Sequence, residues 1–179
     1  MKIYPVSEYA LLGSIINGAT YGYEIQRFLK ECLGSIWRIP TSQLYALLKK
    51  MEDRGLVRSK VELQDDRPSK RVFHATENGV AAFNKWLITP CKRVRDIRIE
   101  FLAKLYFIKS SGVEGSGLVK AQAGMLEKTV SGITSWINQD ISPYDRLAAE
   151  FKLAMAEACL NWLLYKVPEF LETGDAEKS

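Results

Sequence analysis

Between Gly55 and Thr76 the apolar residues of this 179-residue chain change period, and no other feature limits its possible folds so strongly. In Val57-Arg58-Ser59-Lys60-Val61-Glu62-Leu63 they fall on every second position, Ser59 excepted, with charges between them, as in a half-buried strand. The stretch 64–69 is polar and contains Pro68, which reads as a turn. Residues 70–75 then form a second short strand, with Arg71, Phe73 and Ala75 on one face.

Helical spacing holds on either side of this hairpin. In the segment 9–16, Ala10, Leu11, Leu12, Ile15 and Ile16 recur with helical period, and Asn17-Gly18 ends the run. A second helix follows at once. Thr20 is placed to cap it, Ile25, Phe28, Leu29 and Cys32 form its stripe, and Gly34 stops it. Pro40 precedes a third helix over 41–54, closed by Gly55. Beyond the hairpin, Thr76-Glu77 opens a fourth helix that carries Val80, Phe83, Trp86 and Leu87 inward. Helix-helix-helix-strand-strand-helix is the order of a winged helix-turn-helix.

Thr89-Pro90 reads as a boundary, and no convincing strand follows it. The fold expected is mainly α with a small β-hairpin. It comprises an N-terminal winged helix-turn-helix over 1–89, an all-helical domain over 90–172 and a polar tail over 173–179. In the helical part, Val119, Ala123, Leu126, Val130, Ile133 and Ile137 keep the alternating spacing of four and three that marks a heptad seam. Ser142-Pro143 is a helix start, and Leu147, Phe151, Ala154, Ala158, Trp162 and Tyr165 are expected to line the last long helix.

Charge is unevenly placed. Residues 1–89 hold 13 Lys/Arg against 9 Asp/Glu, whereas residues 90–179 hold 12 of each, so the net +4 lies wholly in the first half. A surplus of cations in one domain is the footprint expected of a phosphate-binding surface. Cys32, Cys91 and Cys159 are odd in number and far apart, which argues against a disulfide framework or zinc site and fits a reducing, cytoplasmic setting. No stretch approaches the ~20 apolar residues of a membrane span. His74 is the only histidine, and neither a glycine-rich phosphate loop nor an H-E-x-x-H pattern occurs. No constellation for catalysis, cofactor or metal is evident, and the chain is not expected to be an enzyme.

At ~100° per residue, Leu44, Leu47, Leu48 and Met51 share one arc of the third helix and form its core face. The other arc presents Ser42, Ala46 and Lys49, flanked by Thr41, Gln43, Tyr45 and Lys50, and suits a DNA major groove. Gln43 could pair with an adenine edge, while Tyr45, Lys49 and Lys50 could reach phosphates. Arg67, Lys70 and Arg71 lie at and after the hairpin tip, where a wing would cross the backbone into a minor groove. The same residues are compatible with a solvated helix beside a mixed-charge turn, since Asp65 and Asp66 precede Arg67. A winged-helix module that binds protein and not DNA is the competing reading.

Three motifs in order carry a resemblance to a known family: Leu11-Leu12-Gly13 with Tyr21-Gly22-Tyr23-Glu24-Ile25, the run from Leu44-Tyr45-Ala46 through Arg54-Gly55-Leu56-Val57, and Arg67-Pro68-Ser69-Lys70-Arg71 through Thr76-Glu77-Asn78-Gly79. Together they resemble the PadR transcriptional regulators, and the later run Arg98-Ile99-Glu100-Phe101-Leu102 resembles the start of the helical domain of that family's longer members. Ala46 stands where many members have Pro, and Asp66 where many have Gly. The resemblance implies a homodimer, usually a repressor, on an inverted-repeat operator of double-stranded DNA, released in some members by a small aromatic ligand.

The heptad seam bears on the dimer independently. Val119, Leu126, Val130, Ile133 and Ile137, with Phe151 and Trp162 from the last helix, are candidates for a dimer interface, although the seam could equally close within one chain. Trp37, Trp136 and Trp162 are candidates for an aromatic ligand pocket, against plain core packing as the alternative.

Overall fold

The structure, a computed structural model, describes residues 5–35, 38–64 and 67–173, and at 63, 64, 67 and 68 it describes the backbone. It divides into two compact units, Met1–Leu87 with Leu102–Ser111 and Ile88–Phe101 with Gly112–Ser179.

The first unit is built around α1 (Val6–Ile16), which contacts α2 (Gly22–Leu33), α3 (Thr41–Asp53), α4 (Glu77–Leu87) and the second strand of the hairpin. Such a helix must be apolar on nearly every side. Tyr9, Ala10, Leu11, Leu12 and Ile15 are all buried, and so is Ser14, whose hydroxyl donates to the Leu11 carbonyl at 2.8 Å. Gly13 is required by close approach, because a Cβ there would collide with the rings of Phe107 and Phe83. Phe107 belongs to α5 (Leu102–Ser111) and packs edge-on against Phe83, 5.3 Å between centroids, while Tyr9 stacks on Trp86 at 4.8 Å. This aromatic cluster joins α1, α4 and α5 into one core.

Strands β1 (Val57–Gln64) and β2 (Arg67–Ala75) pair antiparallel, with Val57 opposite Ala75 and Gln64 opposite Arg67. The strands therefore run further than the alternation alone implies. Gln64 and 67–69, read in sequence as turn, belong to the ladder, whose register shifts between Glu62 and Gln64. Asp65 and Asp66 lie outside the described residues. Val72 as well as Phe73 is buried, because the chain before α2 runs beside β2: Phe73 N–H donates to the Thr20 carbonyl at 2.8 Å, and Tyr21 bridges Val72. The turn from α3 into β1 goes through Gly55 at φ 70°, a left-handed conformation that costs glycine little. Thr76 closes the other end, donating to the Gly55 carbonyl at 2.6 Å and accepting the Gly79 N–H at 3.1 Å, as the cap of α4.

The second unit holds a 3-10 turn (Val94–Asp96), a π-helical stretch (Ile97–Phe101), the long helices α6 (Ser116–Ile137) and α7 (Pro143–Tyr165), and a short α8 (Val167–Glu172). Ser142 caps α7 by accepting the Asp145 N–H at 3.1 Å, with Pro143 at the first position. Gln122, buried on α6, clasps the backbone of Cys91: its Oε1 accepts the Cys91 N–H at 2.6 Å and its Nε2 donates to the Cys91 carbonyl at 3.2 Å. On α7 the buried face is Ala149, Ala156 and Leu163, spaced by sevens. The apolar stripe expected to line this helix lies largely on the solvent side, with Leu147 65% and Phe151 68% exposed. Two apolar stripes run along this helix, and a period cannot say which one the chain itself covers.

Candidate nucleic-acid interface

Helix α3 is held by Leu44, Leu48 and Met51, each at most 1% exposed. That leaves Thr41, Ser42, Gln43, Tyr45, Ala46, Lys49 and Lys50 on the solvent side, as the sequence pattern predicts. These residues differ in what they are free to do. Lys49 carries no ion pair among the described residues. Thr41 is tied to α2, where Gln26 Nε2 donates to its hydroxyl at 2.5 Å. Tyr45 lies over the start of α2, its phenol group where a side chain on Gly22 would be. Gly22 is thus the seat of Tyr45, which still keeps half its surface exposed.

Lys50 is drawn inward and does not simply project from the helix. Its ammonium lies 3.6 Å from Oε1 of Glu8, a fully buried carboxylate on α1 that also takes both oxygens to Arg54, at 2.9 and 2.8 Å. A buried carboxylate needs partners of this kind, and charge-assisted hydrogen bonds, here from Arg54 Nη1 to both oxygens, are among the stronger ones. Lys50 and Arg54 therefore couple the C-terminal end of α3 to the core helix.

Arg71 is likewise committed. Its Nη2 donates to Glu52 of α3 at 2.7 Å and its Nε to the Ser59 hydroxyl at 2.6 Å, while Ser59 gives its own N–H and O–H to Glu52 at 2.9 and 2.6 Å. The hydrogen bond from the Ser59 hydroxyl, with its backbone N–H and Arg71 adding to it against burial, holds the Glu52 carboxyl below the usual glutamate range. Arg71, a candidate groove contact in sequence, also braces the hairpin against the helix. Ser59, the exception in the strand's alternation, was the signal for it. Lys70 remains available at the hairpin surface, its Nζ 5.4 Å from the Tyr21 ring and 5.9 Å from that of Tyr23. Arg67 starts β2 beside the tip, and its side chain lies outside the described residues.

The N-terminus of α2 completes this surface. Glu24 Oε2 accepts the N–H groups of Thr20 and Tyr21 at 3.0 and 3.1 Å. Burial pushes the Glu24 pKa up, but these bonds outweigh it and hold the carboxyl below its ordinary value. Thr20, expected as the cap, instead donates to Glu24 with its N–H and, at 3.4 Å, its hydroxyl.

Residues 11–85 match the family described as the transcriptional regulator PadR-like family. The match is to this segment of the chain, 75 of its 179 residues. The chain is also similar to the negative transcriptional regulator PadR of Bacillus subtilis (strain 168), 35% identical over 118 residues, or 65% of each protein. A probable transcriptional regulator of Mycobacterium tuberculosis (strain ATCC 25618 / H37Rv) is 32% identical over 87 residues, 49% of this chain and 46% of that one. The chain thus spans less than two thirds of the length of these curated relatives. Among solved structures, Bacillus subtilis PadR in complex with operator DNA aligns at TM-score 0.48 with 28% identity, covering 92% of this chain and 99% of that one. The same protein in complex with p-coumaric acid aligns at 0.44 with 26% identity, covering 94% and 100%.

The PadR-like segment contains the whole of α3 and the hairpin, and α6, α7 and α8 lie beyond it. In the second unit the candidate interface residues are distributed unequally. Leu126 is buried within the single chain, Val119, Val130, Ile133, Ile137 and Trp162 are half-buried, and Phe151 is open to solvent. The candidate ligand tryptophans are not brought together. Trp136 ends α6 near the turn into α7, under Lys152 Nζ at 6.0 Å, whereas Trp162 sits near the far end of α7, edge-on to Phe101 at 6.2 Å. At 1.5 Å per residue, Lys152 and Trp162 are roughly 15 Å apart along α7. The two thus have separate neighbours along α7, and Trp37 lies outside the described residues. Among the described residues no helix is long and apolar enough to cross a membrane, and no group of three or more His, Cys, Asp and Glu could hold a metal ion.

Proposed function

We propose that this PadR-like chain is a dimeric, sequence-specific DNA-binding regulator of the cytoplasm, a repressor and not an enzyme, acting on an inverted-repeat operator. The observation that carries the reading is the solvent face of α3, small at Ser42 and Ala46, polar at Gln43 and cationic at Lys49, beside a hairpin bearing Lys70. A helix with small residues at its outermost positions can approach base edges closely, while flanking cations neutralise phosphates. The name of the Bacillus relative, a negative regulator, supports repression. Residues 1–89 would read DNA, and the helical part over 90–172 would pair two chains through the exposed stripe of α7 centred on Phe151. Dimerisation would place two recognition helices about one DNA turn, ~34 Å, apart. A small aromatic effector would relieve repression by binding in the helical part.

Fragments of the source genome selected by the purified protein test this directly. Replacing Lys49 and Arg67 together by Ala is expected to weaken binding and to lower the slope of log affinity against log salt by about 2, at ~0.9 per phosphate lost. No bound fragment at low salt would refute the function; an unchanged slope would remove both residues from the interface.

A further inference from the structure

Glu52 stands in the last turn of α3, where the negative end of the helix dipole disfavours a carboxylate. At ~100° per residue it lies ~60° round the helix from Lys49, beside the face proposed to meet DNA. A DNA polyanion would disfavour it there a second time. A carboxylate set against both fields is explained by what it holds.

It holds both strands of the hairpin at once. Oε1 accepts the N–H and O–H of Ser59 on β1 at 2.9 and 2.6 Å, and Oε2 accepts Arg71 Nη2 from β2 at 2.7 Å. Arg71 Nε closes the ring on the Ser59 hydroxyl at 2.6 Å. A ring of three side chains from a helix and two strands fixes direction as well as distance. Two further ties of the hairpin, Phe73 N–H to the Thr20 carbonyl and the Tyr21 hydroxyl to Glu62 at 3.1 Å, run to the start of α2 and not to α3. From Arg71 the strand continues past Lys70 to Arg67, roughly 14 Å at ~3.4 Å per residue, so a swing at the ring is carried out to the tip.

Resting on the DNA-binding reading above, we infer that Glu52 is a positioning residue: through Ser59 and Arg71 it sets the angle of the wing against α3, so that Lys70 and Arg67 reach DNA while α3 lies in the major groove. Removing its charge has two effects of opposite sign. One negative charge fewer beside the DNA tightens binding by charge alone. A wing that must be ordered on binding weakens it.

The test is the affinity of the full-length protein, at one salt concentration and below the melting temperature of every variant, for a duplex that the wild type selects from the source genome. Glu52→Gln is expected to weaken binding roughly 5-fold, as for ordering one or two interface side chains, although it removes a negative charge. Ser59→Ala, which leaves every charge in place, should weaken it in the same direction. In Arg67→Ala/Lys70→Ala protein the wing has no cation left to position, so adding Glu52→Gln should bring no further loss. General damage to α3 would persist in that background. Binding by Glu52→Gln as tight as wild type or tighter would overturn the inference and leave the DNA-binding reading standing. So would a loss undiminished in the Arg67→Ala/Lys70→Ala background, or wild-type affinity in Arg67→Ala/Lys70→Ala itself. If the wild type selects no fragment, both readings fall together.

Discussion

The two units treat their apolar side chains in opposite ways. In the first, α1 hides Leu11, Leu12 and Ile15, and even its carboxylate at Glu8 is enclosed and neutralised by Arg54 and Lys50. In the second, α7 covers Ala149, Ala156 and Leu163 and leaves Tyr144, Leu147, Phe151 and Tyr165 between 65% and 78% exposed along one side. A core helix covered by its own chain leaves contact with a partner to the other elements of its unit. A helix with a second, uncovered stripe is short of a neighbour. The difference assigns the roles proposed here: recognition of a polar ligand by the first unit, self-association by the second.

The largest expected effect breaks that contrast from the side of α7. Leu147→Glu with Phe151→Glu should cost association about 2 kcal/mol or more, roughly 30-fold in Kd, while leaving the melting of the first unit unchanged. Sedimentation of both proteins over a range of concentrations measures it, and a wild type that is monomeric throughout would end the dimer reading.

Next in size is a pair of identical substitutions with opposite signs. Alanine inside a helix is favoured over glycine by up to ~1 kcal/mol. At Gly13 a Cβ meets the rings of Phe107 and Phe83, and overpacking of ~1–3 kcal/mol should win, so Gly13→Ala lowers the melting temperature. At Gly132 on α6 no atom lies within 4 Å of the same Cβ, so Gly132→Ala should raise it. A destabilising Gly132→Ala would mean that a second chain covers this position.

The smallest effect concerns the strut between α3 and the hairpin. Because the Glu52 carboxyl is held below its ordinary 4.5, its contribution is present above that pH and is lost as pH falls through the lowered value. The stability advantage of wild type over Glu52→Gln, under about 1 kcal/mol for so open a pair, should therefore narrow in acid, as thermal melts at pH 7 and pH 3 would show.

Local periodicity made much of this molecule legible. The three helices, the hairpin and the buried arc of α3 follow from spacing, because each is decided by residues a few positions apart. The ion pairs of Lys50 and Arg71 were not legible for the converse reason. Their carboxylates, Glu8 and Glu52, are remote in sequence, and a cation with a distant partner looks the same as a free one. The stripe on α7 was visible as a stripe, but which of two stripes the chain covers is a tertiary fact. Nor does any local pattern say that Phe107, some twenty residues beyond α4, belongs to the first core.

That last placement bears on how the protein is made. The socket formed by Gly13, Phe83 and Trp86 is filled by a ring that leaves the ribosome well after α4 does. At ~5–20 residues per second, the nascent DNA-reading unit waits roughly 1–5 s between the end of α4 and the end of α5. A fragment ended at residue 89 would carry the whole reading surface and an unfilled hole behind it. Translation pauses or truncations between α4 and α5 should therefore expose apolar surface to chaperones and proteases, although no residue of the DNA-facing side is missing.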